Sequence, residues 1–475
     1  MRLEFVNHAS YVLDASKQGV RLLTDPWLEG NAFNNGWALL AKTSFRYEDF
    51  GSITHLWFSH EHPDHFSPPN LKKIPEDARK KITVLFQKTD DRKVVEFCSK
   101  LGFKAVEELP PDRFVPLAPG VEVLCGPTAG YEDSWMHMRT PEGSLLNMND
   151  CWIIDPQQLQ AIKQQVGVVD VLATQFSVSA WDGNADEVER LRQGAQAMLD
   201  KALTQCEVFA PRWVLPFASF IWFCHEENAY MNQAFLGIDD VEMAFRTKSM
   251  PVMMYPGDSW TVGQPHDNAA ALARWRADQQ ALPQRQRVKS ATVAPDVLIE
   301  SSRSFCRALI DGSDRSRVKA RWAAQAFRRG GGRSLPDRLR DLVSLRAAPA
   351  TIWVTDQEKA YRFDPEQGLT PAVLPREACD VRLGSESLHF AFKFLWGGQT
   401  LAINGRFQER ERDSRRPLFD YFDMAGSRNA GRVVTWRSLP ADLGRRLGRV
   451  APLSRIGNVA KKMAKGTKVA SWLQS

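Results

Sequence analysis

Six consecutive residues, His60, Glu61, His62, Pro63, Asp64 and His65, constrain this chain more than anything else in it. Three imidazoles and a carboxylate packed so closely have few purposes besides holding cations, because imidazole nitrogen and carboxylate oxygen are what divalent metals take from side chains. The apolar run HLWFS ahead of the motif reads as a strand, and FSPPNLKK behind it reads as a loop entering a helix. The donors therefore sit on a loop at the C-terminal end of a strand, where α/β folds gather their binding sites. Imidazole suits zinc, iron and manganese, and each added carboxylate shifts the preference toward harder ions.

Around the motif, from Met1 to about Gly263, short apolar strands alternate with amphipathic helices, the pattern of a layered α/β domain. The strands expected are Arg2 to Leu13, Val20 to Leu23, His55 to Phe58, Ile82 to Phe86, Val121 to Leu124, Ser134 to Arg139, Leu145 to Met148, Val169 to Thr174 and Trp213 to Leu215. Helices are expected over Asp91 to Leu101, Pro156 to Gln165, Ala185 to Thr204 and Glu226 to Phe235. A length of 475 residues, at roughly 150 per domain, implies two or three domains. The divisions expected are a catalytic domain over 1–265, a basic helical linker region over 266–346 broken by RRGGGR, a small α+β domain over 347–430, and a cationic tail over 431–475. In the small domain, LHFAFKFLWGG and QTLAINGRFQ read as hairpin material turning at Gly397 and Gly398.

Charge is distributed unevenly. From Gly431 onward there are ten Lys or Arg against Asp442 alone, although the whole chain carries only +6. A tail of this kind fits an anionic membrane surface or an acidic partner protein, with nucleic acid the least favoured partner because no aromatic-interleaved basic groove accompanies it. The start MRLEFVNHAS alternates like a strand, unlike a signal peptide, and no apolar stretch approaches a bilayer span, so a cytoplasmic protein, peripheral on a membrane at most, is expected. The seven cysteines are scattered, odd in number and without a C-x-x-C pair, which reads as reduced thiols.

The run His60 to His65 resembles the H-x-H-x-D-H motif of the metallo-β-lactamase superfamily. That resemblance implies an αββα sandwich with a binuclear site, His60 and His62 holding one metal, Asp64 and His65 the other. It also implies that Asp25 in LLTDPW supports the histidine loop, that Asp150 in LLNMNDC bridges the metals, and that His225 in FCHEEN completes the second site. Asp64 and Asp150 would then stand at the reacting centre. The family's third histidine for the first metal has no obvious counterpart. The interval holds GYEDSWMHM, where Glu132 or Asp133 falls nearest the expected place and His137 is the less favoured candidate.

Whole segments carry a closer resemblance. DPWLEGNAFNNGW, FSHEHPDHFSPPNLKKI, EDSWMHM with LLNMNDC, and PFASFIWFCHEEN are similar to the metal-binding portion of CMP-N-acetylneuraminate hydroxylase-like proteins. This implies an O₂-dependent oxygenase with two divalent ions, iron before manganese or zinc, acting on a small molecule. The Rieske cluster of those proteins needs C-x-H and C-x-x-H pairs, and no cysteine here has them, so an external electron donor is expected. A hydrolase of a phosphodiester, lactone or lipid amide would use the same ligands. Finally, LGSESLHFAFKFLWGGQTLAINGRF resembles a sterol-carrier-type module, and Trp27, Trp181, Phe217 and Trp222 are candidate walls of the pocket.

Overall fold

The structure, a computed structural model, describes residues 1–128, 133–311 and 349–430. The basic tail, the RRGGGR segment and Glu132 lie outside the described residues.

Two seven-stranded sheets pack face to face. The first runs in the order Ser259–Thr261, Arg2–Asn7, Ser10–Ala15, Val20–Thr24, His55–Phe58, Thr83–Gln87, Ala105–Leu109. Its first four strands pair antiparallel and the rest parallel. The second runs Met250–Pro251, Trp213–Phe217, Val171–Gln175, Gly143–Asn149, Ser134–Thr140, Val121–Pro127, Val115–Ala118, again half parallel and half antiparallel.

Side chains alternate across a strand, and here the alternation sorts residues into two cores. Tyr11, Leu13, Leu22, Trp57 and Leu85 face inward against Val123, Met136, Met138 and Leu145 of the second sheet. Their neighbours Val12, Leu23, Leu56, Phe58, Val84 and Phe86 face outward, under Leu71, Val94, Val95 and Cys98 of the flanking helices. Because both faces are covered, these strands read as nearly unbroken apolar runs. Helices Pro156–Val166, Val188–Phe209 and Ile238–Arg246 cover the second sheet, giving the αββα order expected.

Beyond residue 265 the chain continues in helices Ala269–Ala281 and Pro295–Ile310, then in a five-stranded sheet ordered Gly368–Ala372, Lys359–Asp364, Ala350–Val354, Val381–Leu383, Gln408–Glu409. One expectation fails in this part. The segments read as a hairpin are two helices, Ser385–Lys393 and Gly397–Asn404. Gly397 and Gly398 are there for close approach, since a Cβ on Gly398 would lie 2.0 Å from Cγ of Phe422 in helix Arg416–Asn429, and one on Gly397 2.4 Å from the Phe390 carbonyl. The Glu226–Phe235 helix is a shorter 3₁₀ segment, Ala229–Ala234.

The apolar residues of this C-terminal half do not close on themselves. Leu298, Phe305, Ile352, Phe363, Leu388, Phe392, Leu401 and Phe407 share one core with Trp27, Phe33, Trp37, Trp181, Ile221 and Phe223. Arg406, fully buried, ties the halves: it donates to Glu227 and Glu386 at 2.7 Å each, and to the Asn34 carbonyl at 2.7 Å. All seven cysteines are buried and free, and among the described residues no helix is long and apolar enough to cross a membrane.

Candidate metal centre

The loop after strand His55–Phe58 is pinned at Ser59. Its amide donates to Asp25 Oδ1 at 2.8 Å, and its carbonyl accepts from the amide and hydroxyl of Ser134 on the opposite sheet at 3.1 and 2.6 Å. Three residues on, the His62 carbonyl accepts from the amides of His65 and Phe66, at 3.0 and 2.7 Å, closing a tight turn that brings the side chains of 60, 62, 64 and 65 together. The flanking strands end in left-handed residues, Asp25 with φ 37° and Asn149 with φ 43°. Asp and Asn are the non-glycine residues that tolerate this conformation best. Asn149 turns the chain so that Asp150, whose amide donates to Asn149 Oδ1 at 2.7 Å, faces the histidines.

His60 Nε2 lies 2.8 Å from His62 Nδ1, 3.8 Å from the Asp133 carboxylate and 3.7 Å from Asp150 Oδ2. His65 Nε2 lies 3.2 Å from Asp64 Oδ2 and 3.7 Å from the same Asp150 oxygen. Asp64 Oδ2 is also 3.2 Å from His8 Nε2. Three donor groups result, His60 with His62 and Asp133, His8 with Asp64 and His65, and His60 with His65 and Asp150 between them. The outer nitrogens are held from behind. His60 Nδ1 meets Ser59 Oγ at 2.9 Å, and His65 Nδ1 meets Asp25 Oδ2 and Ser59 Oγ at 3.1 Å each.

These residues fit a pair of metal ions on a test internal to the structure. Asp64 Oδ1, Asp150 Oδ1 and His65 Nε2 are buried and have no hydrogen-bond partner among the described residues. Each such acceptor costs about 1–3 kcal/mol, a cost that a bound cation removes.

The electrostatics are those of a site short of positive charge. Burial works to raise the Asp64 carboxyl pKa, but the charge of His65 and hydrogen bonds from His65 and His8 outweigh it and hold the group well below the carboxylate range. Burial likewise opposes ionisation of Asp150, and His60 and His65 overcome it. His65, although buried, is pushed well above the ordinary imidazole value by Asp64, Asp150 and Asp25. His60 is driven well below that value by burial.

Of the residues expected from sequence, His60, His62, Asp64, His65, Asp133 and Asp150 are brought together, with Asp25 behind them. His137 is elsewhere: it lies across from Leu124 and Leu146, buried beside Phe114, and burial pushes its pKa down to about 3. His225 follows strand Ile221–Phe223, which pairs with Trp37–Leu39 and carries it toward the C-terminal half. There its ring nitrogens lie 3.6 Å from Glu227 and 4.0 Å from Glu386, in none of the metal-binding groups. His8 is the imidazole that joins Asp64 and His65 in one of these groups. Of the four aromatics, Trp27 is at the site, its ring 5.7 Å from that of His8, whereas Trp181 stacks on Phe407, Phe217 packs on Tyr11, and Trp222 lies under Arg285.

Two residues escaped the sequence reading. His8 sits at the turn between the first two strands with φ 36°, in the otherwise ordinary string VNHAS. Lys201 is fully buried on helix Val188–Phe209, its Nζ without a hydrogen-bond partner among the described residues. Burial pushes its pKa down to about 8 against the opposing charges of Asp150, Cys151 and Asp133. The signal for Lys201 was a lone lysine beside the apolar stripe Ala195, Met198, Leu199, Ala202 and Cys206.

Residues 2–133 match the model of the beta-lactamase superfamily domain. The chain carries a metallo-β-lactamase fold. That superfamily is one of metal-dependent enzymes, and stretches of the chain are similar to cytidine monophosphate-N-acetylneuraminic acid hydroxylases. It is 33% identical over 105 residues to the cytidine monophosphate-N-acetylneuraminic acid hydroxylase of Xenopus laevis, covering 22% of this chain and 17% of that protein. It is 24% identical over 241 residues to a protein of Mycolicibacterium smegmatis described as a Rieske 2Fe-2S iron-sulfur protein, 46% of this chain and 43% of that one. The metallo-β-lactamase-fold chain thus spans less than half the length of these relatives. Among solved structures it is similar to CmlA, a diiron β-hydroxylase from Streptomyces venezuelae, at 19% identity and a TM-score of 0.40, over 55% of this chain and 53% of that one.

Proposed function

We propose that this protein is a binuclear iron-dependent oxygenase that hydroxylates a small metabolite, with electrons delivered by a separate carrier protein. The donor set carries the reading. Three carboxylates, Asp64, Asp133 and Asp150, share the centre with His8, His60, His62 and His65, and Asp133 accompanies His60 and His62 where a third imidazole was expected. Carboxylate in place of imidazole shifts the preference from zinc toward iron or manganese. The hydroxylase and the Rieske-type protein among the relatives support the same chemistry.

In this reading His60, His62 and Asp133 hold one ion, His65 and Asp64, with His8 alongside, hold the other, and Asp150 lies between. A bound iron pair supplies the electrons and open positions that activate O₂. The chain's own part is to hold and to shield. Ser59 and Asp25 fix the imidazole rings of His60 and His65, the kind of outer support that metal ligands need. Trp27 and Trp37 cover His8, with ring centroids at 5.7 and 6.3 Å, and Phe33 covers His62 at 5.8 Å, which keeps bulk water from that flank.

The test is O₂ uptake by iron-loaded protein with a chemical reductant and electron mediator. Uptake above the rate of the same mixture containing His60→Ala supports the oxygenase. Equal uptake by both, together with cleavage of a phosphodiester, lactone or amide by zinc-loaded protein, would reassign the centre to hydrolysis.

A further inference from the structure

The outer nitrogens of His60 and His65 are held from within the sandwich, by Ser59 and Asp25. That of His62 meets the other half of the chain. Its Nδ1 faces His60 Nε2 at 2.8 Å, on the side of the metal-binding group, while its Nε2 lies 3.1 Å from the side-chain amide nitrogen of Gln399. Gln399 belongs to helix Gly397–Asn404, some 337 residues further along the chain.

This helix is seated firmly against the N-terminal half. The Asn404 side chain donates to the Phe33 carbonyl at 3.0 Å, and its own carbonyl accepts from Asn228 at 2.7 Å. The Ala402 carbonyl accepts from the Trp181 amide at 3.0 Å. Gly36 admits the contact, since a Cβ there would come within 2.4 Å of Asn404 Cβ. Phe33, whose carbonyl Asn404 holds, is the same residue whose ring stands edge-on to His62. Helix, ring and imidazole are therefore one packed unit.

For Nδ1 of His62 to offer a lone pair to a metal, the proton must sit on Nε2 and be donated outward. The Gln399 amide nitrogen faces His62 here, and a half-turn of the amide puts its carbonyl oxygen, which accepts from Nε2–H, in the same place. We propose that Gln399 is a positioning residue of the metal centre: the C-terminal half sets the tautomer and orientation of His62 and thereby the affinity of the site formed with His60 and Asp133. The inference rests on the metal-centre reading above.

The experiment is titration of metal-free full-length chain with Co(II), following its visible absorption and measuring affinity by chelator competition. Wild type takes up two ions. Gln399→Leu is expected to weaken one of them by about 10–100-fold, the usual cost of losing such a partner, and to change the absorption of that ion alone. Gln399→Glu, which keeps an acceptor, restores both. An unchanged melting temperature for metal-free Gln399→Leu separates positioning from folding. Wild type and Gln399→Leu binding two ions with equal affinity would overturn this proposal alone, whereas wild type binding none would overturn the metal-centre reading with it.

Discussion

The carboxylate of Asp25 lies 3.1 Å from Nδ1 of His65, with both side chains fully buried. The pair fixes which nitrogen of His65 faces Asp64 and Asp150, because the proton on Nδ1 is donated backward and Nε2 is turned toward the centre. Asp25 meets the centre through this imidazole.

Replacing Asp25 should therefore lower metal affinity more than it lowers stability. Asp25→Ala is expected to weaken the ion held by His65 and Asp64 by about 10–100-fold, with Asp25→Asn intermediate because its amide oxygen still accepts from the ring. Chelator competition on the purified variants measures this. Retention of full affinity in Asp25→Ala would show that the ring is oriented by Ser59 without help.

Lys201 gives a pH-dependent signature. Its pKa is about 8 in the fold and returns to the ordinary lysine value near 10.5 on unfolding, so between those pH values the unfolded chain binds more protons and stability rises with pH. Below pH 8 both states are charged and the full cost remains, about 3 kcal/mol for a shift of this size. Lys201→Met should accordingly melt higher than wild type at pH 7, and its stability should lack the rise above pH 8. Denaturant unfolding of the metal-free proteins at pH 7 and pH 10 checks both. A lower stability of Lys201→Met at pH 7 would mean that the ammonium is paired more strongly with Asp150 and Asp133 than its burial suggests.

Arg406 predicts how the halves depend on each other. Its removal leaves Glu227 and Glu386 beside each other in a largely buried place, and the loss of one partner from a buried ionic group costs about 3–5 kcal/mol. Arg406→Leu should show that loss in urea unfolding, whereas Arg406→Leu combined with Glu227→Gln and Glu386→Gln should recover much of it. A variant as stable as wild type with the single change would refute the lock.

Much of this was legible in the chain because it is local. The histidine loop, Asp25 at the end of one strand, Asp150 at the end of another, and the strands themselves follow from short-range alternation and turn chemistry. What escaped depended on contacts distant in sequence. The place of His225 beside Glu227 follows from a strand that pairs with Trp37–Leu39, far away in sequence. His8 reaches Asp64 across 56 residues. Gly397 and Gly398 looked like a turn because a glycine needed for close packing against Phe422 and one needed for backbone freedom are the same letter.

The central claim is that one chain holds two metal ions among mixed imidazole and carboxylate donors. Elemental analysis of protein produced with iron, manganese and zinc all supplied tests it directly. The account predicts about two irons per chain, lost on His62→Ala and kept on His225→Ala. Two zincs, or a metal content unchanged by His62→Ala, would contradict it.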